Sequence, residues 1–197
     1  MTSVHAIRTI CLAAVFMPAA LQAEELVVVL DGARTKIDFV LGDILHTVHG
    51  NFQLKEGKIS FDPSAGVIRG DIIVDAASGN SGSRIRDKRM TRDVLEAARY
   101  PEVRFSPTAY SGSIAMEGTS NIEVRGSFLI HGQTHEITIP MQIQISREEI
   151  AARCKLTVPY VRWGMKNPST FLLKVSQEVE IDVNAVGRVS GSPGARN

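Results

Sequence analysis

Cysteine is scarce in this 197-residue chain, with two, and aromatic side chains make up only 6%, a single tryptophan among them. Two thiols exclude a disulfide-stapled scaffold, and so few rings leave no platform for stacking nucleic-acid bases. Neither sign of charge prevails: 22 basic residues face 21 acidic ones, for a formal net charge of +1. That balance gives no general attraction to nucleic acid or an anionic membrane, so binding must come from a local patch or an apolar cavity. Also missing are a phosphate loop, Gly-x-Gly-x-x-Gly, Cys-x-x-Cys and His-Glu-x-x-His, and residues 79–83 lack the final glycine of a Gly-x-Ser-x-Gly elbow. What is present, at 44% apolar residues, is the composition of one ordinary globular domain.

No apolar run is long enough to span a bilayer as a helix. The longest, residues 10–21, follows His5 and Arg8 and ends in Ala19, Ala20 and Leu21-Gln22-Ala23, small residues that suit a signal peptidase. The pattern predicts a secretory signal over residues 1–23, cut before Glu24, and a mature chain without a transmembrane segment. Cys11 lacks the small-residue context of a lipid attachment site. Removal of the signal takes away one charged side chain, Arg8, and leaves Cys154 as the single thiol. No intrachain disulfide is then available, and stability must come from a core.

Most of the mature chain alternates apolar and polar residues. Ile122, Val124, Gly126, Phe128 and Ile130 share one side; Ile137, Ile139, Met141, Ile143 and Ile145 another, with Pro140 on the outer set and a bulge or weak edge expected there. Ile150, Ala152, Cys154, Leu156 and Val158 repeat the pattern, as do Phe171, Leu173, Val175, Val179, Ile181 and Val183. The N-terminal half follows less cleanly, through Ile37 and Phe39, Phe52 and Leu54, Ile59 and Phe61, Ile68, Ile72 and Val74, then Val103 and Phe105. Turns are expected at Asp31-Gly32, Glu56-Gly57, Asp62-Pro63 with Gly66, and Gly132-Gln133. Eight or nine one-sided strands joined by hairpins must hide their edges, by closing into an up-and-down antiparallel barrel or by folding into a sandwich.

One stretch departs from this. Residues 84–100 place Met90, Val94, Leu95 and Ala98 on one helical face, with Pro101 as the stop, so a helix near residues 87–98 is expected to cover a barrel end. Residues 186–197, rich in Gly and Ser, are expected to form a loose tail after a domain over 24–185.

Candidate chemistry is thin. Cys154 on an inward face has the raised pKa of an inert thiol. His46 with His49 and His131 with His135 form two pairs, but no carboxylate or thiolate stands at metal-ligand spacing, so no metal is expected and turn-flanking histidines that satisfy loop carbonyls are the ordinary reading. Arg84, Arg86, Lys88, Arg89 and Arg92 form the densest charge feature. They read either as a solvated face or as a cationic rim for a phosphate or carboxylate head group.

The run Arg86-Asp87-Lys88-Arg89-Met90, with Val94-Leu95-Glu96 and Tyr100-Pro101-Glu102-Val103-Arg104-Phe105, resembles the central signature of the YceI family. So, in order, do His46-Thr47-Val48-His49-Gly50-x-Phe52, Ile59-Ser60-Phe61-Asp62-Pro63, His131-Gly132-x-Thr134-His135 and Arg162-Trp163-Gly164-Met165-Lys166. Thr91 and Arg92 depart from the commoner pattern after the methionine. The resemblance, over about residues 35–184, implies a periplasmic, lipocalin-like eight-stranded barrel holding a polyisoprenoid or similar amphiphile, without an agreed catalytic activity or a cofactor beyond that lipid.

With that fold, strand parity nominates Phe39, Phe52, Phe105, Phe128, Met141, Leu156, Phe171 and Val175 as walls around a ligand tail. Met90, Val94 and Leu95 become the helix-borne closure, and Arg86 with Arg89 the head-group neighbours. Gly126, Ala152 and Cys154 are the small inward residues expected to leave room. Trp163 and Met165 fall at a mouth or staple a barrel end. An enzyme using the histidines on a lipid or quinone, and a packed, ligand-free interaction module, are the competing readings. No nucleic-acid partner is expected, and a homodimer is compatible with the sequence.

Overall fold

Alternating apolar residues form nine strands among the residues that the computed structural model describes, namely 25–42, 47–63, 66–170 and 174–191. They are β1 (Leu26–Leu30), β2 (Lys36–Gly42), β3 (Thr47–Asp62), β4 (Val67–Asn80), β5 (Glu102–Ser111), β6 (Gly118–Ile130), β7 (Gln133–Ser146), β8 (Glu149–Val158) and β9 (Val179–Gly191), with a short helix α1 (Arg84–Arg89) after β4. From β2 onward each strand pairs antiparallel with the next, and β9 returns to β2. The sheet therefore has no free edge, which removes the aggregation hazard that nine open strands would carry.

β1 does not add a ninth wall. It lies between β3 and β9, as β2 does: Val28 opposes Ile59 and Val189, while Ile37 opposes Phe52 and Val183. The two are one interrupted strand, so the barrel is eight-stranded. The interruption is an Asx turn in which Asp31 Oδ1 accepts the Ala33 N–H at 2.9 Å and the Asp31 carbonyl accepts the Thr35 N–H at 2.9 Å.

The pleat sends one side-chain row inward along every strand. On β6, Ile122 and Val124 are buried while Glu123 and Arg125 are exposed; on β7, Ile139, Ile143 and Ile145 are buried between exposed Thr138, Gln142 and Gln144. Truncating Val124 or Ile145, both almost fully enclosed, removes packing of the kind that costs roughly 1–5 kcal/mol. Pro140 stands on the outer row of β7. The β7–β8 ladder runs from Met141↔Cys154 to Ser146↔Glu149 and stops before it, so the missing N–H deprives β8 of nothing.

Several expectations are corrected. The segment 84–100 is α-helical only through Arg89 and π-helical from Met90 to Val94, so the helix ends short of residue 98. Met90–Val94 widen into a turn in which the Leu95 N–H reaches back five residues to the Met90 carbonyl at 2.9 Å, and the Ala97 N–H bonds the Thr91 carbonyl at 2.8 Å. Thr91 donates its hydroxyl to the Asp87 carbonyl at 2.9 Å, a local bond that competes with regular helix. Glu96, at φ 47°, reverses the chain well before Pro101 and turns Ala97 into the protein. Glu56-Gly57 is no turn but paired strand within β3, directly after a bulge between Leu54 and Glu56, and Gly57 gives way to the Leu30 side chain; a Cβ there would lie 2.6 Å from Leu30 Cδ1. The β6–β7 turn is His131-Gly132, not Gly132-Gln133, with both φ values positive (50° and 72°), the twist that a two-residue hairpin prefers.

At the C-terminus, Val186 to Gly191 are strand rather than tail, with Gly187 to Gly191 paired to β1. The last strand begins at Val179 and not near residue 171. Phe171 and Leu173 lie outside the described residues, and Val175 makes an isolated bridge before the strand.

Candidate functional site

Eight inward rows do not meet at the axis. They enclose an elongated cavity of about 230 Å³, lined by apolar side chains and the Cys154 thiol. An engineered apolar cavity of about 150 Å³ already admits benzene, so this space is ligand-sized. Its wall follows β6 from Ile122 to Ile130, a run of roughly 26 Å along the strand and roughly 20 Å along the axis of a tilted barrel. The void is long and thin. Leu95, from the turn after α1, contributes to the lining at one end, and Ile114, between β5 and β6, at the other.

Inward residues that retain accessible surface face this void. Ala152, Cys154 and Leu156 on β8, Met141 on β7 and Val183 on β9 are only half-buried although their parity is inward. Burial in apolar surroundings pushes the Cys154 thiol up to about 11, so it stays protonated at neutral pH and is a poor nucleophile. Gly126 does not leave room as expected. A Cβ there would stand 2.5 Å from the Ser106 carbonyl oxygen and 2.9 Å from the Phe105 ring, so the glycine admits the β5 backbone where that strand bulges between Pro107 and Ala109.

Of the residues nominated as walls and closure, Phe52, Phe105, Phe128, Met141, Leu156 and Leu95 line the cavity. Phe39 and Met90 sit behind it. The Phe39 ring covers Gly50, its cross-strand partner, and leans on Phe52 at 5.4 Å between centroids, while Met90 packs over Gly79 beside the same Phe52. Val94 joins the cluster of Ile130, Val158, Tyr160 and Met165 that closes this end. Val175 is outside the lining, its N–H bound to Ser169 Oγ at 2.9 Å, and Phe171 lies outside the described residues. The cavity also uses residues that parity had not nominated: Val28 and Leu30 of β1, Ala185 of β9, and Ile114. The apolar run Leu26–Leu30 was the available signal for the first two; nothing local marks Ile114.

The arginines do not reach the lumen. Arg86 donates from Nε to Ser81 Oγ and from Nη2 to the Ser81 carbonyl, both at 2.7 Å, and so clamps the entry to α1; Asp87 accepts the Ser81 N–H at 2.8 Å and the Ser81 hydroxyl. Arg89 is exposed and near enough to Asp93 to help hold that carboxyl down, after the stronger hydrogen bond from Arg92. Neither is among the residues that line the cavity.

The histidines diverge. His131 Nε2 is 2.9 Å from Glu96 Oε2, and its ring packs on Tyr100; His135 stacks on Trp163 at 4.0 Å with 9° between planes. The Trp163 ring also approaches Phe128, at 5.9 Å, so the Trp-Gly-Met turn staples this barrel end to β6 and β7. Burial lowers His135 below the usual imidazole range, and its Nε2 is enclosed without a hydrogen-bond partner. His49 is exposed, and His46 lies outside the described residues. Among the described residues no histidine lines the cavity, no three potential ligands converge as a metal site, and no helix is long and apolar enough to cross a membrane.

Comparisons agree with this geometry. The YceI-like domain family matches residues 29–187. A UPF0312 protein of Vibrio cholerae is 30% identical over 131 residues, 64% of this chain and 67% of the relative; one of Shewanella denitrificans is 29% identical over 139 residues, 68% and 70% of the two chains. The matches thus cover about two thirds of those relatives' length. Among solved structures, Burkholderia cenocepacia BcnA superposes with a TM-score of 0.64 at 20% identity, over 80% of this chain and 98% of that one. A polyisoprenoid binding domain from Saccharophagus degradans, implicated in plant cell wall breakdown, does so at 0.62 and 16% identity, over 83% and 98%. At such identities the likeness is one of fold.

Proposed function

Since the chain belongs to the YceI-like domain family, we propose that it is a lipid-binding barrel that holds one polyisoprenoid or similar long-chain amphiphile. The carrying observation is the long, apolar void of about 230 Å³. Each methylene-sized group buried there gains about 0.8 kcal/mol, hence about 4 kcal/mol for a five-carbon isoprene unit. Three such units approach or exceed the roughly 4–15 kcal/mol of freedom lost on association. Thinness favours an extended chain over a fused ring system. Binding of this kind needs no catalytic group; among the described residues the lining is apolar apart from the Cys154 thiol.

The fold shared with a polyisoprenoid binding domain supports the same ligand class. The reading extends to the periplasm: the export signal expected over residues 1–23 supports it, and there an insoluble lipid must be stored or carried between membranes. The test is organic extraction of purified protein with mass analysis of the extract, beside native mass spectrometry. A stoichiometric long-chain hydrophobic mass is expected. A clean ligand-free mass, together with failure to take up added polyprenol or fatty acid, overturns the reading.

A further inference from the structure

Helix α1 carries its charge away from the cavity. Arg84, Lys88 and Arg89 are exposed, and none lines the void. Ile85 stands 74% exposed, on the same helix face as Lys88 and Arg89 by their spacing. Arg86 and Arg92 are occupied, by Ser81 and Asp93.

A second element adds to this surface. The turn over residues 159–165 packs with Val94 and Leu95 through Tyr160, Met165 and Trp163, so it sits at the same barrel end. It and its continuation present exposed Arg162 and Lys166, the latter close enough to Asp93 to help lower its carboxyl. Over residues 84–100 and 159–170, eight basic side chains stand against three acidic ones, Asp87, Asp93 and Glu96, in a chain whose net charge is +1. The adjoining segment 174–180, bonded to the turn through Tyr160 and Val161, adds exposed Lys174 against Glu178 and Glu180, for nine against five. Positive charge is therefore gathered at one end, with a bare aliphatic side chain among it, where Leu95 closes the lumen.

We propose that α1 and the 159–165 turn dock this barrel end on an anionic lipid surface. The cations meet the head groups, Ile85 inserts at the acyl boundary, and the Leu95 end of the cavity is held against the bilayer from which a lipid would be exchanged. A phosphate-rich polymer such as RNA offers Ile85 no apolar layer, and α1 carries no aromatic ring for a base to stack on. Docking extends the lipid-holding reading and can fail separately from it, because extraction reports the cargo and vesicle binding reports the surface.

The experiment is co-sedimentation of the chain from Glu24 onward, which contains every described strand, with vesicles. One set is phosphatidylcholine with one third phosphatidylglycerol; the other is phosphatidylcholine alone. Binding to the anionic set is expected, weakening with salt. Lys88→Gln and Arg89→Gln each reduce partitioning roughly fivefold, and Ile85→Ser reduces it about tenfold or more at any salt concentration. Arg125→Gln, on the outer barrel wall, leaves it unchanged. Circular dichroism checks each fold. No binding to anionic vesicles, equal binding to both sets, wild-type binding by all three α1 variants, or equal affinity for a single-stranded oligonucleotide overturns the proposal.

Discussion

Ala152→Leu distinguishes a hollow barrel from a filled one by the sign of its effect on stability. Ala152 faces the lumen from β8, between Ile143 on β7 and Ala185 on β9, and keeps part of its surface although it points inward. Leucine places three more carbons into the void, worth about 2.4 kcal/mol of transfer at about 0.8 kcal/mol each. Freezing its rotamers returns about 0.5–1 kcal/mol, so the net gain is about 1.5–2 kcal/mol. In a domain of this size 1 kcal/mol corresponds to about 2–4 °C, so the melting temperature should rise by about 3–8 °C. The same carbons occupy ligand volume, and lipid retention should fall. Thermal unfolding must be followed on delipidated wild type and variant, because a retained ligand raises the melting temperature by mass action. Overpacking a filled core costs about 1–3 kcal/mol. A melting temperature lowered by several degrees, with lipid uptake unaltered, would therefore refute the cavity and the function built on it.

Three further outcomes are expected. Phe128→Arg puts a charge into the apolar lumen, at a cost of several kcal/mol unless it escapes, and should abolish lipid retention measured by extraction, whereas Arg125→Glu on the outer face retains it; equal loss in two folded variants would contradict the inward and outward assignment. Because burial lowers His135 below its ordinary 6.5, the unfolded chain binds more protons than the folded one, and stability is lost as pH falls through 6.5 toward the folded value. His135→Phe, which keeps a ring against Trp163, should flatten that part of the stability profile, and an unchanged slope in denaturant titrations would count against the assignment. With its pKa raised from 9.0 to about 11, Cys154 should react with a thiol reagent near pH 8 about a hundredfold more slowly in the folded protein than in denaturant from thiolate population alone; rapid labelling of the native state would show the thiol to be exposed.

Much of the wall was legible because a period of two leaves no choice of face: once Ile122, Val124 and Phe128 share a row with Ile130, their direction is common. The parity of β7 and β8, the outward position of Pro140 and the inward position of Cys154 follow in the same way. What misled was chemistry read locally. Glu56-Gly57 has turn composition, yet both flanks remain in β3, and the glycine answers a contact with Leu30 from another strand. The Gly and Ser of residues 187–191 look like tail until β1, far away in the chain, supplies their partner.

The site divides along the same line. Alternation determined that this chain has an apolar interior and one-sided strands, since burial of one face per strand is a property of residue order; the pairing of β9 with β2 decided that the sheet closes as a barrel and not a sandwich. Only the tertiary structure decided that the interior is partly empty, because a void depends on the distance between walls; Gly126, small as it is, makes none, while Ala152 does. It also decided where the charge points. Arg86 and Arg89 have the composition of a head-group rim, but the turn at Met90–Val94 directs Leu95 into the lumen and leaves the cations of α1 outside.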